Sequence, residues 1–294
     1  MKNLEEFPFH FTRHTNAEYK SEKHILESED PEGLLNTRDQ VIPDLPAKGK
    51  EYAVEKAKEF FKRFSPEKDV FCFFSSDEAR AVETANIYRQ VAHELGFQVL
   101  KPYNDESAIN KPVQKIHKES YAYNLGEGEI RTLSSLSIHE ESPLINSLFD
   151  SIEDLKKRKI NWDKVKPDIK QKWEKARHII KDNDMGTWSK NFFHHSDSIK
   201  TYFPELKSAK DLRVQFENIA RLIRFAKSKI DSFENTKEDK KKINILGFGH
   251  ETYLADFLNE YFDEHDIKNC ETIDFSIDDN NEFYAKRREE IKRI

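Results

Sequence analysis

Cysteine is scarce: Cys72 and Cys270 are the only two in 294 residues. Two thiols in a chain this long cannot form a disulfide framework, and they read as buried thiols of a reducing compartment. A long apolar run is also lacking. No segment approaches the ~18–20 residues of a membrane-crossing helix. The opening MKNLEEFPFHF has no apolar stretch of signal-peptide length. A cytoplasmic protein without a membrane partner is therefore expected. Nor is one sign of charge in excess. Lys and Arg number 49 against 55 Asp and Glu, for a net charge of -6 with both signs interspersed. A nucleic-acid partner would need a concentrated basic face, and none is seen. Hydrophobic residues make up only 36% of the chain, but 22 of them are Phe and 10 are Tyr. Large aromatics bury much area per residue, so a core is within reach and disorder is excluded for most of the chain.

Three short apolar runs stand out: Phe7 to Phe11, Val70 to Phe74 and Ile243 to Phe248. Each has strand length, is rich in aromatic or β-branched residues and is bounded by polar ones. Phe97 to Leu100 and Glu271 to Phe275 are weaker strand candidates. Helical periodicity separates them. Pro46 to Phe64 places Ala53, Ala57, Phe60, Phe61 and Phe64 mostly on one face. Asp77 to Leu95 does so with Ala81, Ala85, Tyr88, Ala92 and Leu95, with Ser76 or Asp77 as its expected N-cap. Leu212, Phe216, Ile219, Ile223, Ala226 and Ile230 form a clear stripe, and Glu251 to Phe262 carries Leu254, Phe257, Leu258 and Tyr261. Strands alternating with helices predict an α/β fold, a three-layer α/β/α sandwich around a largely parallel sheet. Residues 115–204 differ: charged, helical or irregular, without a good strand, and holding all three tryptophans. They are expected to form a helical cap inserted within a single domain spanning residues 1–294.

Chemistry-bearing residues follow the three strong strands. Thr12-Arg13-His14-Thr15 follows the first, Ser75-Ser76-Asp77-Glu78-Ala79-Arg80 the second, and Gly249-His250-Glu251 the third. In an open parallel sheet, ligands bind outside the carboxyl ends of the strands, so these segments should share one edge. Two Arg and two His there suit a phosphoryl group. Guanidinium groups fork onto phosphate oxygens and stay charged at any working pH. A neutral imidazole can attack phosphorus and form a covalent phosphohistidine. A second His, if protonated, can donate to the oxygens where transition-state charge is spread. The leaving alkoxide needs a proton from a carboxylic acid with a raised pKa.

These segments resemble the histidine phosphatase, or phosphoglycerate mutase-like, superfamily. Its Arg-His motif after the first strand is matched by Arg13-His14, and its Leu-Thr-x-x-Gly segment loosely by Leu45-Pro46-Ala47-Lys48-Gly49. Its Ser-x-x-x-Arg-Ala-x-x-Thr-Ala motif is matched closely by Ser76 to Ala85, and its late Gly/Ser-His motif by Gly249-His250. The four blocks come in the family order and cover roughly residues 7–110 and 205–275. The resemblance implies that His14 is a covalent nucleophile and that Arg13, Arg80 and His250 complete a phosphate pocket. For the proton donor it offers two positions: Glu106, 26 residues after Arg80, slightly favoured for its spacing, and Glu251, directly after the late His. Glu251 could instead be a first-turn acid stabilised by its helix dipole. The expected activity is phosphomonoester hydrolysis on a small phosphorylated substrate, with no cofactor and no metal. The alternatives are a phosphomutase, which the sequence after His14 (Thr15-Asn16-Ala17-Glu18) does not favour, and a weakly catalytic protein that binds phosphorylated ligands. His194-His195 tempts a metal reading, but adjacent His cannot easily face one ion, and a surface loop is expected there.

Overall fold

The computed structural model describes residues 7–17, 45–76, 78–101, 129–132, 143–157, 160–234, 241–264, 266–278, 280 and 282–294. In chain order the strands are β1 (Phe9–Arg13), β2 (Asp69–Ser75), β3 (Gln98–Leu100), β4 (Ile130–Thr132), β5 (Lys242–Gly249), β6 (Thr272–Ile277), β7 (Phe283–Arg287) and β8 (Glu290–Arg293). The helices are α1 (Ala47–Phe61), α2 (Ala79–Glu94), α3 (Pro143–Asn146), α4 (Ile152–Lys157), α5 (Pro167–Asp182), α6 (Trp188–Ile199), α7 (Ala209–Glu234) and α8 (Thr252–Phe262).

All eight strands form one sheet in the order β3-β2-β5-β1-β6-β7-β8, with β4 also on β2. β3 pairs with Val70 to Cys72 and β4 with Phe73 to Ser75, so the two short strands follow each other along one edge of β2. The five strands β1 to β5 are mutually parallel where they pair, and β6, β7 and β8 continue antiparallel. The expected largely parallel sheet therefore has an antiparallel end. The hairpin strands β7 and β8 escape the periodicity, because FYAKR and EIKR are charged edge sequences with little apolar signal. β4 is likewise a strand inside the stretch expected to lack one. Its three residues are too few to show a period of two.

Helices cover both faces. On one side, α1 and α2 pack Ala53, Ala57, Phe60, Phe61, Ala81, Ala85 and Tyr88 against Phe71, Phe73 and Phe248. Aromatic edges supply much of this packing. Phe71 alone meets Phe61 at 5.0 Å, Phe64 at 5.1 Å and Phe97 at 5.3 Å, each near perpendicular. Such edge-to-face pairs add to area burial, which is how a chain with few aliphatic residues fills its core. On the other side, Leu212, Phe216, Ile219 and Ile223 of α7 and Leu254, Phe257 and Leu258 of α8 pack on Phe9, Phe11, Ile273 and Phe275. The three layers expected from the sequence are thus present. α2 stops because Leu95 caps it and Gly96 takes φ +82, the left-handed value glycine adopts without strain. Leu95, expected on the buried face, is 43% exposed for the same reason.

Within the expected cap, α3 to α6 share the core of α7 and α8. Trp173 is buried, donates from Nε1 to the Leu144 carbonyl at 2.9 Å and meets Trp162 edge-on at 4.7 Å. Trp188 stacks on Phe192 at 5.0 Å and donates to the Asn146 carbonyl. His194 and His195 sit in α6 rather than in a surface loop, and His195 Nε2 is 3.0 Å from the Asn183 carbonyl. Among the described residues, no helix is long and apolar enough to cross a membrane.

Candidate active site

Strand register decides where the chemistry gathers. β1 pairs with β5 so that Arg13 lies opposite Gly249, and β2 pairs with β5 so that Ser75 lies opposite Phe248. The next residue of each strand is His14, His250 and Ser76. All three must leave the sheet at one level of its carboxyl edge. Backbone bonds hold the three exits together: His14 N–H donates to the Gly249 carbonyl at 3.0 Å and Ser76 N–H to the Phe248 carbonyl at 2.9 Å.

His14 and His250 are both buried, with ring centroids 5.1 Å apart. His14 Nδ1 lies 2.7 Å from the Thr15 carbonyl oxygen. A carbonyl can only accept, so Nδ1 carries the proton, and the neutral ring keeps its lone pair on Nε2. Burial, then the charges of Arg80 and Arg13, hold the His14 pKa well below the usual histidine range. His250 is depressed likewise by burial, Arg80, His14 and Arg13. Both imidazoles are therefore neutral in the free pocket. For His250 this differs from the protonated donor considered from sequence, and it leaves that ring a single N–H to offer. Its Nε2 is 2.9 Å from Ser76 Oγ. Ser76 thus serves the pocket rather than capping α2. Glu78 holds the N-cap position and makes no side-chain cap bond.

Arg80 stands in the first turn of α2, buried, with Glu78 3.7 Å from its guanidinium. One turn on, Thr84 ties two parts of the pocket together. Its hydroxyl donates to the Arg80 carbonyl at 2.7 Å and accepts from Thr15 N–H at 3.2 Å. The Thr15 hydroxyl in turn donates to the Gly49 carbonyl at 3.0 Å. Gly49 is required by crowding, since a Cβ there would lie 2.6 Å from the Asn16 carbonyl oxygen. The loosely matched Leu-to-Gly segment thereby acquires a physical reason: α1 must approach the turn after His14 at backbone distance.

Arg13 reaches the edge from β1. Its guanidinium donates to the Ile267 carbonyl at 2.5 Å and is ion-paired with Glu251. Glu251, the N-cap residue of α8, is 8% exposed and makes no side-chain cap bond. A helix dipole would lower its pKa. Instead burial raises it to about 7, against the pull of Arg13 and with a push from Asp266. Burial outweighs the pull of Arg13. Glu106, the other candidate donor, lies outside the described residues, as does Asp77. His14 and His250 are neighbours within reach of the charges of Arg13 and Arg80, and Glu251 joins them through its ion pair with Arg13.

Sequence reading missed the supporting roles of Ser76, Thr84 and Gly49, although all three stand in the quoted motifs. The spacing of four between Arg80 and Thr84 already placed them one turn apart on α2. Asp266 carried no signal. His10, on β1, packs between Phe60 and Phe64, and its Nδ1 is 2.7 Å from Asp274, a carboxylate that Arg63 also reaches at 2.6 Å.

No family model matches the chain, and no curated protein matches it. Among solved structures it is similar to a phosphoglycerate mutase from Bacillus anthracis str. Sterne, at 12% identity and a TM-score of 0.41 over 97% of this chain and 90% of that one. It is similar to a phosphoserine phosphatase mutant from Entamoeba histolytica in complex with phosphoserine, at 12% identity and a TM-score of 0.35 over 97% and 93% of the two chains. It is also similar to a phytase from D. castellii, at 14% identity and a TM-score of 0.34 over 94% and 70%.

Proposed function

We propose that this protein is a phosphomonoester hydrolase of the histidine phosphatase type, working through a phosphohistidine on His14. One observation carries the reading: the Thr15 carbonyl fixes the tautomer of a buried, neutral His14 so that Nε2 keeps its lone pair, with Arg80 and Arg13 close enough for their charges to act on the ring. In the first step Nε2 attacks phosphorus and the phosphorus–oxygen bond to the leaving group breaks. Arg13 and Arg80 hold the non-bridging oxygens, where charge accumulates. Glu251, poised near neutrality by burial, gives its proton to the departing alkoxide. In the second step water attacks phosphorus, Glu251 takes its proton, the phosphorus–nitrogen bond breaks and inorganic phosphate leaves. Glu251 is the donor this reading adopts over Glu106.

The test is His14→Ala assayed with p-nitrophenyl phosphate, alongside acid-labile labelling of the wild type by a radiolabelled phosphomonoester. Turnover should vanish with the fold intact, and label should appear only on the wild type. Turnover of the variant at the wild-type rate would overturn the proposal. The mutase alternative is separated in the same assay by measuring whether inorganic phosphate is released or the phosphoryl group is returned to substrate.

A further inference from the structure

Arg13 is shared between two claims. It is one of the two cations that an incoming phosphoryl group would meet, and in the free pocket its guanidinium is ion-paired with Glu251 while also donating to Ile267. Its Nε has no hydrogen-bond partner among the described residues, so the protein leaves part of the donor fork unused. Glu251 has little else to hold a negative charge. It is buried, caps nothing, and has Asp266 as a like-charged neighbour. The other charged or titratable groups of the pocket are His250, its chain neighbour, His14, and Arg80 with its partner Glu78.

We propose that a dianionic oxyanion entering the pocket takes Arg13 away from Glu251, and that the released carboxylate binds a proton from solvent, so that ligand binding is coupled to proton uptake. This rests on the phosphatase reading and deepens it. The substrate itself loads the acid that its leaving group will need, and a pocket without substrate holds that acid only partly protonated. The physics is competition for one cation. A carboxylate carries one charge and the ligand two, and the fork geometry of Arg favours the tetrahedral oxyanion equally well. Once the guanidinium charge is neutralised, the stabilisation it gave Glu251 is lost and the anion adds repulsion. One such change at a few ångströms moves a carboxyl by roughly one to three pH units. Starting from about 7, Glu251 would then be between half and almost fully protonated in the complex near pH 8.

Titration calorimetry of the full chain with tungstate tests this, because tungstate stays dianionic across the range and contributes no proton of its own. Comparing buffers of different ionisation enthalpy gives the protons taken up. Wild type should take up roughly 0.4–0.9 proton per tungstate at pH 8, and its affinity should fall about twofold to eightfold between pH 7.5 and 8.5. Glu251→Gln, checked for fold by near-ultraviolet circular dichroism, should bind tungstate without uptake and with a flat pH dependence. A flat wild-type affinity overturns the inference whether or not the variant folds. Uptake that persists in Glu251→Gln also overturns it, assigning the proton to the imidazoles. Absence of tungstate binding overturns it too, since Arg13 must prefer a dianion to Glu251. Any of these results alongside normal formation of phosphohistidine would leave the phosphatase reading standing.

Discussion

Thr84 touches no reacting atom in this scheme, yet its removal should be felt at His14. Thr84→Val keeps shape and volume and deletes only the hydroxyl. The Arg80 carbonyl keeps its helical bond from the Thr84 amide, so its loss is small. Thr15 N–H loses its acceptor, and Thr15 is wholly buried, so no water replaces it. An unsatisfied buried amide costs about 1–3 kcal/mol. At about 2–4 °C per kcal/mol for a chain approaching this size, the melting temperature should fall by roughly 2–12 °C. Relief comes by shifting the Thr15 backbone, and the carbonyl of the same residue, in the next peptide plane, is the group that aims His14 through Nδ1. A displacement near 1 Å at a nucleophile can cost about 100-fold. A kcat loss of about 10- to 100-fold is therefore expected, with KM for a simple phosphomonoester changed much less, because Arg13, Arg80 and His250 keep their places. Thr84→Ser restores the hydroxyl and should recover most of both losses. Differential scanning calorimetry and steady-state kinetics on the two variants suffice. Equal behaviour of Ser and Val, or a Val variant with wild-type kcat, would refute the chain of reasoning from Thr84 to His14.

Two further outcomes follow from the same geometry. Glu251→Gln should change how stability varies with pH. The folded pKa of Glu251, about 7, lies above the ordinary 4.5, so between these values the native state holds more proton than the unfolded one, and stability falls as pH rises through that window. The glutamine lacks this penalty, so its stability relative to wild type should improve by about 3 kcal/mol from pH 4.5 to pH 8, read by chemical denaturation at each pH. His14 and His250, depressed below 6.5, act in the opposite sense but are common to both proteins and cancel; a constant difference across pH would be the contrary result. Gly49→Ala places a methyl 2.6 Å from the Asn16 carbonyl, which forces α1 and the turn after His14 apart. A loss of about 1–3 kcal/mol, as for overpacked sites, with reduced kcat is expected from thermal melts and kinetics.

What the sequence disclosed depended on how local the signal was. β1, β2 and β5 are apolar because both of their faces are covered, and that shows in five to eight residues of sequence. Their exits carry Arg13, His14, Ser76 and His250, so the edge that gathers them could be placed before any coordinates. The hairpin strands β7 and β8 could not. They lie at the open end of the sheet, where alternating burial leaves Tyr284, Lys286 and most of β8 on partly or fully exposed positions. For the proton donor, spacing slightly favours Glu106, which lies outside the described residues, and spacing says nothing of burial. Glu251 is distinguished by being enclosed beside Arg13 and near Asp266, and those neighbours come from β1 and from the segment before β6, far apart in sequence. Ser76 shows the same limit in a single residue. Its place before a helix suggests a cap, but the register of β2 on β5 brings it to His250 instead.

The balance of charge in the pocket explains why these groups must occur together. Burial, and after it the charges of two guanidinium groups, keeps both imidazoles neutral, and a neutral ring is the only form of His14 that could attack phosphorus. The same two cations would hold any ordinary carboxylate ionised and useless as an acid. Glu251 escapes this because desolvation outweighs its single contact with Arg13. A carboxyl left in water at this position would stay charged whatever Arg13 did, and one buried without Arg13 would stay protonated and could not act as a base in the second step. In the proposed mechanism, burial with one shared cation is the arrangement that would let the same residue be acid when a phosphoryl group holds Arg13 and base once its proton has gone to the leaving group.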